Sequence, residues 1–169
     1  MERYTLGILV NNSPGVLSRV VGLFSRRGYN IDSLSVGETE DPKISRITIV
    51  VTGDRQIVEQ IQKQVAKLID VLKVIELTLQ GSLQYELLLV KVKTNAKNRA
   101  SVVELSEIFK AKIVDVTEST LTIRMTGNMD KIASFLHLVR PYGIAELSRT
   151  GTTAMERGSQ LMINHADEL

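Results

Sequence analysis

Between Thr5 and Val10 every second position is Leu, Ile or Val. Leu6, Ile8 and Val10 are interleaved with Thr5, Gly7 and Leu9, which predicts a strand. From Val16 the period changes. Val16, Leu17, Val20, Val21, Leu23 and Phe24 recur at helical spacing, and Gly28 closes that helix. Ile31 to Gly37 reads as a second strand with Leu34 and Val36 inward, and Glu38 to Lys43 as a polar turn. Ile44 to Thr52 is a third strand, with Ile47, Ile49 and Val51 alternating. Asp54 stands where it can cap the next helix. That helix carries Ile57, Ile61, Val65, Leu68 and Ile69 on one face, with Glu59 and Lys63 outside at i, i+4. Val71 to Leu79 completes the order βαββαβ, the ferredoxin-like unit.

After Gln80-Gly81-Ser82 the order repeats. Glu86 to Val92 is a strand and Thr94 to Asn98 a polar loop. Val102, Val103, Leu105, Ile108 and Phe109 mark a helix, and Lys112 to Val116 and Leu121 to Met125 two strands. Ile132, Phe135, Leu136 and Val139 mark the last helix, and Ile144 to Leu147 a final short strand. The fold class is therefore α+β, with two tandem ferredoxin-like domains, 1–80 and 81–169, related by topology with little residue identity. From about Thr150 the periodicity weakens. Met155, Leu161, Met162 and Ile163 lie among Gly, Ser and charges, the pattern of a tail that packs on a partner or frays.

The first strand-to-helix turn, Asn11-Asn12-Ser13-Pro14-Gly15, carries the chemistry. Ser13 fits an N-cap, and Pro14 the first helical position, where its missing N–H costs nothing. Gly15 lets backbone approach a ligand, because no Cβ intervenes. Free amides at a helix N-terminus favour an anion such as a carboxylate. Asn12 adds an amide that both donates and accepts. An α-amino acid would satisfy these groups. The same residues also make an ordinary capped loop, and both readings stand at this point.

Composition narrows the chemistry. Of 169 residues 43% are hydrophobic and only 4% aromatic, so the core is Val, Ile and Leu. With no cysteine there is no disulfide, thiolate site or cysteine nucleophile. The polar start and the lack of a membrane-length apolar run predict a cytoplasmic chain with no signal peptide and no membrane partner. A net charge of +2 gives no footing for nucleic acid. An RNA-binding βαββαβ module stacks bases on aromatics of its central strands, and Ile44 to Thr52 has none; Tyr4 and Tyr85 precede or open their strands. His137 and His165 are too far apart to form a metal motif, and neither a Gly-rich phosphate loop nor a nucleophile elbow occurs. The acidic group Glu38, Glu40 and Asp41 reads as a solvated turn.

Several runs resemble one family. They are N-N-S-P-G-V-L-S-R-V at 11–20, L-F-S-R-R-G-Y-N-I-D-S-L at 23–34 and S-R-I-T-I-V at 45–50. In the second half they are I-V-D-V-T at 113–117, T-G at 126–127 and P-Y-G-I-A-E-L-S-R-T-G at 141–151. The first half resembles an ACT domain, a module that binds amino acids. The whole chain resembles the regulatory small subunits of acetohydroxyacid (acetolactate) synthase.

The resemblance implies a non-catalytic subunit without a cofactor of its own. Its partner would be the catalytic large subunit, which carries thiamine diphosphate, Mg and FAD. It would raise that subunit's activity and confer feedback inhibition by valine, leucine or isoleucine in branched-chain amino-acid biosynthesis. It also implies a homodimer or larger, with the effector between two ACT domains. Mapped by residue, the effector site is Asn12, Ser13, Gly15 and Val16 of one chain, with Asn30 and Ile31 of the other. Asn12 and the amides near Gly15 would take the carboxylate, Asn30 the ammonium, and Ile31 the aliphatic side chain. Two alternatives are a free-standing amino-acid-responsive ACT regulator and a small ferredoxin-like enzyme. No helix-turn-helix supports the former.

Overall fold

The computed structural model describes residues 2–162. The chain divides into two compact units. Unit 1 runs through Gln84 and takes in the segment from Thr152 on, whereas unit 2 is Tyr85–Gly151. The sequence pattern put the boundary near Gly81 and left the tail with the second half.

Unit 1 is built from β1 (Glu2–Asn11), α1 (Val16–Arg26), β2 (Ile31–Glu38), β3 (Ile44–Gly53), α2 (Arg55–Val65) and β4 (Val71–Glu76). Its antiparallel sheet has the order β2-β3-β1-β4, so β2 and β4 are the edges. Leu6, Ile8 and Val10 of β1 and Ile47, Ile49 and Val51 of β3 point to the helices. There they meet Val16, Val20 and Phe24 of α1 and Val58, Ile61 and Val65 of α2, all buried. Alternation along the strands and helical period along α1 and α2 thus converge on one core. Ile69, expected on the α2 face, lies beyond the helix end and is 93% exposed, and Val36, on the edge strand, is half-exposed.

Unit 2 repeats this with β5 (Ser82–Lys93), whose first residues belong to unit 1, then α3 (Arg99–Ile108), β6 (Lys112–Val116), β7 (Thr120–Gly127), α4 (Met129–Val139) and β8 (Ile144–Arg149). The strand order is β6-β7-β5-β8. The repeat extends to single hydrogen bonds. Asn11 N–H donates to the Asp70 carbonyl at 2.8 Å, and Lys93 N–H to that of Gly143 at 2.8 Å. Asn12 N–H donates to the Lys43 carbonyl at 2.7 Å, and Thr94 N–H to that of Ser119 at 2.8 Å. β4 and β8 shift register at the same step of the strand they pair with, between Leu9 and Val10 and between Lys91 and Val92. The halves share a backbone plan while their side chains have diverged.

The other face of the unit 1 sheet is also buried: Thr5, Leu9, Thr48 and Val50 are each at most 6% exposed. The returning segment, with β9 (Thr153–Glu156), lies on it. Ala154 and Met162 are buried, and the Met162 sulfur lies 3.5 Å from where a Gly7 Cβ would stand. So the part of the tail through Met162 packs within the chain itself. Ile163 and His165 lie outside the described residues, and His137 is exposed in the last turn of α4.

Candidate functional site

The β1–α1 turn is made differently from its sequence signature. The N-cap of α1 is Gly15, at φ +82°, and not Ser13; Pro14 belongs to the turn before it. The Ser13 hydroxyl makes no capping bond. Asn11 and Asn12 are still held as strand continuation by their bonds to Asp70 and Lys43, so the turn cannot begin until Ser13. A left-handed residue is then needed at position 15, which glycine supplies without steric cost. At α2, Asp54 is the N-cap residue as expected, although its carboxylate makes no capping bond.

This shift changes which amides are free. Val16 N–H closes on the Ser13 carbonyl at 3.3 Å, and Arg19 N–H makes the first helical bond, to Gly15. The Val16 side chain is buried in the core. Among the described residues the amides of Leu17 and Ser18 find no acceptor, and they are the donors a helix N-terminus offers to an anion. Sequence reasoning missed them because it began the helix two residues early. Arg19 adds positive charge: its Nη1 passes 3.2 Å from where a Gly15 Cβ would stand, and its Nη2 pairs with Asp70 at 2.5 Å.

Asn12 is exposed, and its Nδ2 donates to Glu38 Oε1 at 3.0 Å and to the Pro42 carbonyl at 2.9 Å. Both partners are pure acceptors, so the orientation of the amide is fixed. Its two N–H groups are used, and Oδ1 is what it presents to a ligand. In this arrangement the Asn12 amide has its donor side engaged by Glu38 and Pro42 and its acceptor oxygen free of both. Glu38 thus anchors the turn and is more than a solvated charge.

Asn30 is exposed, with Nδ2 donating to Asp32 Oδ1 at 3.2 Å. Asp32 in turn accepts from Thr52 Oγ1 at 2.6 Å, which fixes the start of β2. Ile31 is partly buried against the unit 1 core.

One chain does not bring these two groups together. Ile31 pairs with Val51, whereas Asn11 pairs with Ile44 at the other end of β3. Seven residues of β3 separate them, about 23 Å at the usual strand rise. The turn and the start of β2 thus lie at opposite ends of one sheet.

Two family profiles cover the chain. One, described as the AHAS small subunit-like ACT domain, matches residues 6–73; the other, described as the small subunit of acetolactate synthase, matches 85–158. A probable acetolactate synthase small subunit of Archaeoglobus fulgidus is 51% identical over 158 residues, 94% of this chain and 99% of the relative. The chain belongs to the acetolactate synthase small-subunit family. The isozyme 3 small subunit of Salmonella typhimurium is 44% identical over 95% of this chain and 99% of its own length. The crystal structure of the small subunit from Thermotoga maritima superposes with a TM-score of 0.86 at 38% identity, over 95% of this chain and 100% of that one.

As a member of this family, the chain is the non-catalytic regulatory subunit of acetolactate synthase, in branched-chain amino-acid biosynthesis. Among the described residues no cluster of three or more His, Asp or Glu side chains could hold a metal. No helix among them is long and apolar enough to cross a membrane.

Proposed function

We propose that this small subunit assembles with the catalytic subunit of acetolactate synthase, raises its activity, and makes it sensitive to a branched-chain amino acid, valine foremost, bound between the unit 1 sheets of two copies. The observation that carries this reading is the placement of Asn12 and Asn30 at opposite ends of one sheet whose edge, β2, is unpaired in the single chain.

Two copies pairing antiparallel along β2 would set Ile31 of one opposite Glu38 of the other. Glu38 holds the Asn12 turn, so the start of β2 in one copy would then meet the turn of its partner. Such pairing also satisfies the open edge of β2. In this arrangement the Leu17 and Ser18 amides receive the carboxylate and Asn12 Oδ1 accepts from the ammonium. Asn30 completes the polar contacts, and Ile31 offers an aliphatic surface. Ser13 and Gly15 shape the turn, and Val16 anchors it in the core.

The test is to mix the purified chain with an acetolactate synthase catalytic subunit and titrate valine, leucine and isoleucine. The reading predicts increased activity, and inhibition by at least one of the three. The three ligands differ by a methyl or its placement, worth about 1–3 kcal/mol in such a pocket, so one should stand out. No change in activity and no calorimetric binding of any of them would overturn the proposal.

A further inference from the structure

The segment that returns to unit 1 pairs through β9 with β5, whose first residues belong to unit 1, and is also gripped by side chains of β2 and β3. Thr152 N–H donates to Ser33 Oγ at 2.7 Å, and Ser35 Oγ donates to the Thr152 carbonyl at 2.9 Å. Thr152 is thus held between two side chains of β2 by its own backbone. The Ala154 carbonyl accepts from Arg46 Nη2 of β3 at 2.8 Å. At the far end, Arg157 N–H donates to the Gly81 carbonyl at 2.9 Å and its Nε to that of Ser82 at 3.2 Å.

The fastening is strong in a few places and incomplete in others. Arg46 Nε, Thr152 Oγ1 and Glu156 Oε2 are buried without hydrogen-bond partners among the described residues. Burial lowers the Arg46 pKa, and the Glu156 carboxylate opposes that shift. Unpaired buried polar atoms offset part of what the clamps and the packing of Ala154 and Met162 contribute.

We propose that Ser33 and Ser35 are positioning residues for the effector response, coupling β2 through the Thr152 backbone to the strap formed by residues 152–157. β2 is an edge strand, held by β3 on one side only. Its first residues would receive the effector, so this inference rests on the effector reading above. Ser33 lies two residues beyond Ile31 and just past the register shift of β2 against β3, so a displacement at Asn30–Ile31 reaches Ser33 first. Through the Thr152 backbone it then reaches the strap. The strap is three residues downstream of β8, so the effector signal leaves unit 1 along the chain itself.

The test uses the full chain with a catalytic subunit. The double variant Ser33→Ala, Ser35→Ala removes both side chains that grip Thr152. It should bind valine within about threefold of the parent and activate the catalytic subunit normally. Valine inhibition should weaken by roughly tenfold or more, the scale of a lost allosteric coupling. In the parent, valine should slow hydrogen exchange at residues 152–157; in the double variant it should not. Thr152→Ala leaves the backbone clamp in place and should inhibit as the parent does.

Parental inhibition in a double variant that binds valine normally would overturn the coupling role. So would loss of valine binding itself, which would make the serines part of the site. A parent chain that binds no branched-chain amino acid in calorimetry would instead refute the effector reading, before any variant is compared.

Discussion

Phe109 and Phe135 meet in the core of unit 2 with ring centroids 5.2 Å apart and planes tilted by 60°. The chain has only three phenylalanines, and the third, Phe24, is buried in unit 1. The remaining unit 2 core is aliphatic side chains, Met125 and the partly buried Tyr142, so this pair supplies its two phenyl rings. Phe135→Ala should destabilise unit 2 by about 3–5 kcal/mol, combining lost transfer energy with a cavity. Urea unfolding followed by hydrogen exchange should show the loss in Tyr85–Gly151 and spare the strands of unit 1.

Asn12→Ala removes the acceptor Oδ1 and the bonds to Glu38 and Pro42 together. A hydrogen bond to a charged group is worth about 1.5–3 kcal/mol, so valine affinity should fall roughly tenfold to hundredfold. Asn30→Ala should act in the same direction from the other copy. Activation of the catalytic subunit should survive both changes. Calorimetry beside an activity assay separates the two effects, and parental feedback inhibition in both variants would place the effector elsewhere.

Gly15 has φ +82°, a conformation that costs an L-residue about 1–2 kcal/mol. Gly15→Ala should lower stability by about that amount. The new Cβ would stand 3.2 Å from a flexible Arg19 nitrogen, which can move aside, so backbone strain dominates. Gly15→Asn should be milder, because Asn tolerates this region better. Denaturant midpoints for the three proteins give the order directly.

Val36 is 50% exposed on the open edge of β2. Val36→Glu puts a charge on the strand edge that the proposed pairing would bury and should weaken self-association. The parent should sediment as a dimer or larger at micromolar concentration with valine present. The variant should shift toward monomer, with weaker valine binding as a consequence. A parental monomer under those conditions would refute the shared site.

Much of this was legible in the residues. The switches between period 2 and period 3.6 gave both βαββαβ halves, because each strand and helix buries a regular face. The N-cap was misread because Ser13-Pro14 is a strong local signal, and the bonds that extend the strand through Asn12 reach Lys43 and Asp70, far along the chain. The orientation of the Asn12 amide was hidden for a related reason: it follows from Glu38 and Pro42. Val36 alternates correctly but lies on an edge strand. β9 left almost no trace, since its one buried side chain is Ala154, and Ser35 and Arg46, which bond the backbone of Thr152 and Ala154, are more than 100 positions upstream.

The division of unit 1 between the two ends of the chain has a consequence for synthesis. A ribosome makes β1 to β4 first, and the face of that sheet bearing Thr5, Gly7 and Leu9 meets Leu77 and Gln84 soon after. The remaining cover, which includes Met162 against Gly7, is made only after all of unit 2. Until then the nascent chain carries a partly covered sheet face and the open strand β2, the combination that invites aggregation. Premature termination in unit 2 would therefore leave a sticky first half instead of a smaller working one, and quality control should meet such fragments early.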